Sequence, residues 1–155
     1  MKIERINKGS WGKIRAFFDI VKVNHEFWIS SADFGLSIHK ENLNNRVKDF
    51  TYKSGDNSTL ASGVPYRIVS SRSKPNGKIF IGTRGQGLFS YSLLEKDFTQ
   101  YDTDDGLLSN NIRDLIIDSG GTLWIQSNDG LNSLSEEGLK TVSQQNGLSV
   151  KIPHK

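Results

Sequence analysis

The chain has no cysteine, and its 155 residues include only 3 prolines. The absence of cysteine excludes disulfides, thiolate metal ligands and cysteine nucleophiles, although it does not identify the cellular compartment. No apolar run approaches the roughly 18 residues that a membrane helix needs, and residues 1–5 lack a signal peptide's apolar stretch. We therefore expect a chain without a membrane segment, which would stay in the cytoplasm if it is complete as encoded.

Concentrated charge is also lacking. The 20 Lys and Arg residues against 17 Asp and Glu residues give a formal net charge of +3, which is spread along the chain without a basic block. Nucleic-acid-binding domains instead gather their positive charge on one face or stripe. We therefore expect no nucleic acid partner and interpret the lysines as a solvated surface.

What the sequence does contain is a phrase that occurs three times: an aromatic residue and Ile, a short polar stretch, and then Gly-Leu. The aromatic residues are Trp28, Phe80 and Trp124, which lie 52 and then 44 positions apart. Runs of β-branched and aromatic residues between Gly, Asn, Asp and Ser predict short strands around each phrase. A repeat of roughly 40–50 residues made only of short strands is typical of β-propeller blades.

The sequence thus predicts an all-β fold of about three four-stranded antiparallel blades, with inner strands near 14–20, 66–70 and 112–117. The predicted blades span approximately 12–52, 64–101 and 110–143, and we interpret 1–11 and 144–155 as remnants of adjoining blades. Because propellers close with about four to eight blades, this is an incomplete propeller. Its expected partners are the remaining blades of a parent protein, or further copies of the chain.

The repeated aromatic residues would lie in the second strand of each blade, where large flat side chains pack between neighbouring blades. We interpret them as core rather than as a platform for stacking sugars. Because a middle blade has two neighbours, we expect Phe80 to contribute more to stability than Trp28.

Residues 106–112 read Gly-Leu-Leu-Ser-Asn-Asn-Ile, and Asp118, Gly121 and Leu-Trp-Ile at 123–125 follow. This segment resembles the two-component regulator propeller repeat, whose pattern is roughly Gly-Leu-x-Ser-Asn-x-Val, an Asp, a Gly turn and Leu-Trp-Ile-Gly-Thr. The first repeat is the most divergent, with Ser30-Ser31 in place of Gly-Thr. The resemblance implies the periplasmic sensor region of a bacterial hybrid two-component histidine kinase, with the kinase domain in a longer parent protein.

No constellation in the sequence predicts catalysis, a cofactor or a metal site. The three histidines share no repeat position, and the adjacent carboxylates at 104–105 and 136–137 diverge if the chain is extended there. General acid and base chemistry needs carboxylates that converge on one substrate. Asp118 opens a tight turn, and we interpret it as an acceptor of backbone hydrogen bonds. As encoded, the chain is expected to be non-catalytic.

One face of the predicted propeller is the best place for a ligand. The connection into each inner strand and the loop between the second and third strands emerge there, around the central channel. Polar side chains in these loops could form hydrogen bonds with a sugar-like or anionic ligand, although the same residue types are common in tight turns. The candidate ligand-binding residues are Asp33, Arg84, Gln86, Asn110, Asn111, Arg113, Asn128 and Asp129.

Three functions remain open at this point. The first is a non-catalytic, ligand-sensing propeller segment of a two-component system, for which the resemblance suggests carbohydrate-derived ligands such as an oligosaccharide. The second is a propeller scaffold for protein–protein interaction. A propeller glycosidase or lyase fragment is the weakest alternative, because no convergent catalytic set is present.

Overall fold

The computed structural model describes residues 16–32, 35–40, 46–50, 64–71 and 77–142. The first four strands are β1 (Phe17–Val23), β2 (Glu26–Ser31), β3 (Gly35–Lys40) and β4 (Arg46–Phe50). The next four are β5 (Val64–Ser70), β6 (Lys78–Arg84), β7 (Leu88–Ser92) and β8 (Phe98–Tyr101). The last four are β9 (Ile112–Ile117), β10 (Leu123–Ser127), β11 (Leu131–Ser135) and β12 (Gly138–Thr141).

These strands form three separate four-stranded sheets, in each of which the strands follow one another in chain order. Neighbouring strands are antiparallel throughout. The predicted all-β architecture of four-stranded antiparallel blades is therefore confirmed, and the sheets are named blades 1, 2 and 3 in chain order. The described blades do not close into a ring. No described residue belongs to a helix, so no described segment has the long apolar helix that crossing a bilayer requires.

The inner strand of each blade lies close to its prediction. Strand β9 coincides with the predicted range, whereas β1 continues to Val23, beyond its predicted end at residue 20. The extension is possible because Asn24 adopts a φ of 56° and closes a tight turn after Val23. Inner strand β5 contacts β1 on one side and β9 on the other, so the three inner strands stand side by side.

Two apolar cores hold the blades together. The core between blades 1 and 2 contains Trp28, whose ring lies 5.4 Å from that of Phe50 and 5.1 Å from that of Tyr91 in blade 2. The core between blades 2 and 3 contains the buried residues Leu88, Leu107, Ile112, Leu115, Leu123 and Ile125. Each core thus combines side chains from two sheets, as expected for blades that cannot bury their faces alone.

The three repeated aromatic residues have different environments. Trp28 is only 2% exposed and belongs to the first core, as predicted, whereas Phe80 is half-buried against the second core. Trp124 is half-buried and belongs to neither core between the described blades, which therefore do not test its prediction as interblade core. It alternates along β10 with the core residues Leu123 and Ile125, and therefore faces away from blade 2.

Candidate ligand-binding site

Each inner strand has a β-bulge at the same register position. The pairing with the second strand skips one residue between Phe17 and Asp19, and another between Pro65 and Arg67. In blade 3 it skips the residue between Ile112 and Asp114. The skipped residues, named here the bulge residues, are Phe18, Tyr66 and Arg113. Because a bulge bends the strand and re-aims a side chain, these residues are freed from the regular alternation of the sheet.

A cavity of about 320 Å³ lies at the junction of blades 2 and 3. It contains two bulge residues, the end of β6, and the loops before β9 and after β10. Four of the predicted site residues therefore meet in one place. The lining residues are Tyr66, Arg84, Asn111, Ile112, Arg113 and Asn128.

Arg84, the last residue of β6, is held against aromatic rings. Its guanidinium carbon lies 4.0 Å from the centroid of the Tyr66 ring and 5.9 Å from that of Phe18, and the two rings are 5.3 Å apart. A cation over an aromatic face is attracted by the ring quadrupole. The Arg84 backbone also forms an isolated antiparallel bridge with Asn111. This arrangement fixes Arg84 across the junction between blades.

Arg113 is oriented by Asn128 on the other side of the cavity. Its Nε donates a hydrogen bond of 2.6 Å to Asn128 Oδ1, and the backbone N–H of Asn128 donates to the carbonyl of Asn111 at 3.2 Å. The Nη groups of Arg113 carry the remaining donors of the guanidinium. Asn128 thus links the loop after β10 to the loop before β9 and positions a cation.

The cavity is positively charged. Arg67 is not part of its lining and has an acidic partner, because its Nε lies 3.3 Å from Asp114 Oδ1. Among the described residues, neither Arg84 nor Arg113 forms an ion pair with a carboxylate. Two guanidinium groups that form no ion pair with a carboxylate in the described part of the chain therefore line a single cavity.

Asn110 and Gln86 were predicted as binding residues but do not line the cavity. The Asn110 carbonyl accepts hydrogen bonds from the N–H groups of Gly85 at 3.0 Å and Gly87 at 2.9 Å, and its Oδ1 accepts one from Thr103 N at 3.1 Å. The Gln86 carbonyl accepts a hydrogen bond of 3.0 Å from the Gln100 side chain. Asn110 thus joins blade 2 to the loop before β9, whereas Gln86 links the loop after β6 to β8 within blade 2. Loop position alone does not reveal these roles.

The last two candidates also lie apart from the cavity lining. Asp129 is exposed in the loop after β10, and its N–H donates to Ser127 Oγ at 3.3 Å. Asp33 lies outside the described residues. The structure therefore brings together Arg84, Asn111, Arg113 and Asn128 from the predicted set.

A hydroxyl at the end of the second strand shapes the loop beside the cavity. Thr83 Oγ1 donates to the Gly87 carbonyl at 2.9 Å and accepts from Gln86 N at 3.1 Å. Ser127 Oγ donates to the Gly130 carbonyl at 3.2 Å in the same way. The change from Thr to Ser between repeats therefore preserves the loop, because both residues supply the hydroxyl that the loop requires.

Sequence reasoning missed Tyr66 as a lining residue. Strand periodicity placed it at the start of an inner strand, where it would be an ordinary member of the sheet. In the strand pairing Tyr66 occupies the position of Arg113, which was named as a candidate. Alignment of the repeats on Phe80 and Trp124 instead places Tyr66 opposite Asn110, because more residues separate the inner and second strands in blade 2. The bulge that turns both side chains toward the cavity is visible only in the pairing of the strands.

Residues 106–129 match the model of a protein family described as two component regulator propeller. The chain contains a two component regulator propeller repeat. The resemblance found in the sequence is thereby confirmed for this segment, which includes the lining residues Asn111, Arg113 and Asn128. The repeat thus supplies one side of the cavity, and blade 2 supplies the other.

Solved structures with a similar fold come from B. thetaiotaomicron. The extracellular domain of the one component system BT4673 has a TM-score of 0.67 at 15% identity, covering 88% of this chain and 18% of that chain. A second BT4673 structure, described as a hybrid two component system, has a TM-score of 0.63 at 14% identity, covering 82% and 18%. The extracellular domain of the hybrid two component system BT3049 is less similar, with a TM-score of 0.46 at 22% identity, covering 92% and 24%.

The two BT4673 structures share the fold of this chain, and identities of 15% and 14% show the fold alone. The chain spans only 18% of the length of each of them. No curated protein matches the sequence.

Proposed function

We propose that this chain is a ligand-sensing segment of the β-propeller of a bacterial two-component regulator. The observation that carries the proposal is the cavity at the junction of blades 2 and 3, where the repeat meets the end of β6. Its volume of about 320 Å³ is at the lower end of the range for small-molecule sites, about 300–1,000 Å³. It would hold a group the size of one sugar ring, and neighbouring blades would contact the rest of a larger ligand.

The proposed ligand is derived from a carbohydrate. Asn111 and Asn128 contribute amide groups, and the two arginines contribute several N–H donors around one space. Sugar hydroxyls both donate and accept, so they match a lining of this mixed kind. The stacking face of Tyr66 is already occupied by Arg84, so recognition by hydrogen bonds is favoured over aromatic stacking.

The proposed action is binding without catalysis. Asp114, the carboxylate next to the lining residue Arg113, is engaged in an ion pair with Arg67 at 3.3 Å. Asp118 lies beyond the far end of β9 and holds a turn. These roles support a sensor in which the binding signal passes through the parent protein, with the propeller outside the cytoplasm, as in the extracellular domains of similar fold.

A binding screen tests the proposal. The purified chain would be screened against neutral and acidic oligosaccharides by thermal shift, and binding quantified by isothermal titration calorimetry. We expect Asn128→Ala to weaken binding of any ligand found by about tenfold, because it removes a hydrogen-bonding amide and the group that orients Arg113. Gln126→Ala is the matched control, since Gln126 lies on β10 two residues before Asn128 and is exposed outside the cavity.

Unchanged affinity in Asn128→Ala would place the site elsewhere. The absence of any ligand would favour the second candidate, a protein-interaction scaffold. One observation supports that alternative: Ile116 is 61% exposed on the side of blade 3 that faces away from blade 2, next to the half-buried Trp124.

A further inference from the structure

We infer that the cavity between blades 2 and 3 is an oxyanion subsite, in which Arg84 and Arg113 bind a carboxylate or sulfate ester group of the ligand. The inference rests on the proposed function, because it assumes that this cavity binds a ligand. It adds the chemical class of that ligand, an acidic rather than a neutral saccharide.

The first support is the preorganisation of Arg84. Its guanidinium carbon lies 4.0 Å from the Tyr66 centroid, which limits the freedom of the side chain. The N–H groups of a guanidinium lie in its plane, so stacking leaves them free to form hydrogen bonds with a planar or tetrahedral oxyanion. The bulge at Tyr66 supplies the ring that holds this cation at the cavity.

The second support is the orientation of Arg113. Its Nε is bound by Asn128 Oδ1, so one edge of the guanidinium is fixed within the protein. The Nη groups, which bind oxyanions well, are not used by this hydrogen bond. The loop residue Asn128 therefore holds the second cation, the bulge residue Arg113, on the blade 3 side of the cavity, opposite Arg84.

The third support is the charge distribution. The neighbouring pair of Arg67 and Asp114 is internally balanced, but Arg84 and Arg113 form no ion pair with any carboxylate in the described ranges. Like charges that line one cavity repel each other, and the repulsion is strongest where water is partly excluded. An anion between the two guanidinium groups would turn this repulsion into two charge-assisted interactions.

A titration with matched saccharides tests the inference on the 155-residue chain. The probes are a disaccharide that ends in glucuronic acid, its carboxyl-reduced counterpart, and a sulfated form of the same neutral disaccharide. We expect the glucuronic acid probe, the sulfated probe or both to bind at least tenfold more tightly than the neutral one. The probe that is preferred identifies the source of the oxyanion. This preference should decrease as salt is added, because the site is partly open to solvent.

Substitutions assign the effect to the two arginines. Arg84→Gln and Arg113→Gln should each weaken binding of the acidic probe by about 10- to 100-fold, and binding of the neutral probe much less. Lys78→Gln is the matched control, because Lys78 is exposed at the other end of the same strand, about 20 Å from Arg84, and loses the same charge. We expect it to change neither affinity.

Three outcomes would overturn the inference. Equal binding of acidic and neutral probes would contradict it while leaving the proposed function intact, and so would acidic binding that survives both substitutions. Failure of every probe to bind would overturn the inference, whereas the proposed function is overturned only if the oligosaccharide screen also finds no ligand. Circular dichroism checks the fold of each variant. If Arg84→Gln does not fold, the binding measurements on Arg113→Gln decide the test. Substitution of the exposed Arg113 side chain is expected to leave the fold intact.

Discussion

At the scale of single residues, Asp118 shows how a local carboxylate fixes a hairpin. Its Oδ1 accepts hydrogen bonds of 2.9 Å from the N–H groups of both Gly120 and Thr122, and its Oδ2 accepts one of 2.8 Å from the Trp124 indole. The indole hydrogen bond, followed by that from Thr122, lowers the pKa of the Asp118 carboxyl below its ordinary value of 3.8. The interpretation of Asp118 as a turn residue is therefore confirmed.

We expect Asp118→Asn to destabilise the chain at neutral pH. Because the pKa of Asp118 is lower in the folded state, its carboxylate contributes stability above the unfolded-state pKa, and this contribution is lost as the pH falls through the folded-state pKa. The difference in unfolding free energy between the parent chain and the variant should therefore shrink below about pH 4. Urea unfolding followed by tryptophan fluorescence at pH 7 and at acid pH measures it.

Asp104→Asn is the control for this prediction. Asp104 is exposed, and its carboxylate accepts no hydrogen bond among the described residues. It should have little effect at either pH. A destabilisation by Asp118→Asn that is the same at both pH values would show that the charge of Asp118 is not involved.

Burial reverses the expected order of the aromatic residues. The blade order alone predicts a larger contribution from Phe80 than from Trp28, because the blade of Phe80 has two neighbours. However, a side chain on a strand points to only one face of its sheet. Trp28 is 2% exposed, whereas Phe80 is half-buried. We expect Trp28→Ala to cost about 3–5 kcal/mol of unfolding free energy and Phe80→Ala to cost less.

Chemical denaturation of both variants measures this order. Leu94→Ala is a suitable control, since Leu94 is 64% exposed and should change stability by no more than about 0.5 kcal/mol. A larger loss in Phe80→Ala would support the ranking by blade neighbours.

At the scale of elements, side chains at one register position connect the inner strands. Asp19 Oδ2 on β1 accepts a hydrogen bond of 2.9 Å from Ile68 N on β5, and Arg67 on β5 lies 3.3 Å from Asp114 on β9. Asp19, Arg67 and Asp114 each follow a bulge residue directly. The bulges thus place polar residues where one blade can bind the next.

The close approach of β6 to β9 depends on Gly82. A Cβ atom at this position would lie 2.6 Å from Ile112 Cγ2 and 3.0 Å from Ile112 Cβ, both within the second core. We expect Gly82→Ala to cost about 1–3 kcal/mol, because the blades must separate or Ile112 must shift. Differential scanning calorimetry would show a lower melting temperature.

Gln126→Ala is the control for Gly82→Ala. Gln126 occupies the same register position in blade 3 but is exposed, so the substitution should be nearly neutral. A neutral Gly82→Ala would indicate that blades 2 and 3 pack less closely than the structure shows.

At the scale of the whole molecule, the described blades form an open array with an uncovered side on blade 3. Ile116 is 61% exposed there and pairs across the sheet with Trp124, which is half-buried. In a closed propeller another blade would pack on this side. An uncovered apolar sheet face favours association.

We expect the purified chain to self-associate in light scattering and to bind a hydrophobic dye. Ile116→Lys should reduce both effects, because it places a charge in the middle of the uncovered face. Leu94→Lys should not, although Leu94 is equally exposed, because Leu94 lies in the turn between β7 and β8. A compact monomer that does not bind the dye would contradict the prediction.

The amino-acid sequence by itself determined the strands, the turns and the repeat. The alternation of the strands, turn residues such as Asn24 and Asp118, and the family-like segment at 106–125 all depend on neighbours along the chain. They can therefore be interpreted without a structure. They led to the blade architecture, and to four residues that do meet at one cavity: Arg84, Asn111, Arg113 and Asn128.

Only the tertiary structure decided which side chains serve the fold and which face the cavity. Asn110 and Arg113 are polar residues three positions apart, one just before β9 and one within it, yet Asn110 closes the junction with blade 2 and Arg113 lines the cavity. Tyr66 became a site residue through a bulge and through contact with Arg84, 18 positions away in the sequence. These outcomes depend on packing between blades, and such contacts between distant residues leave no local pattern in the sequence.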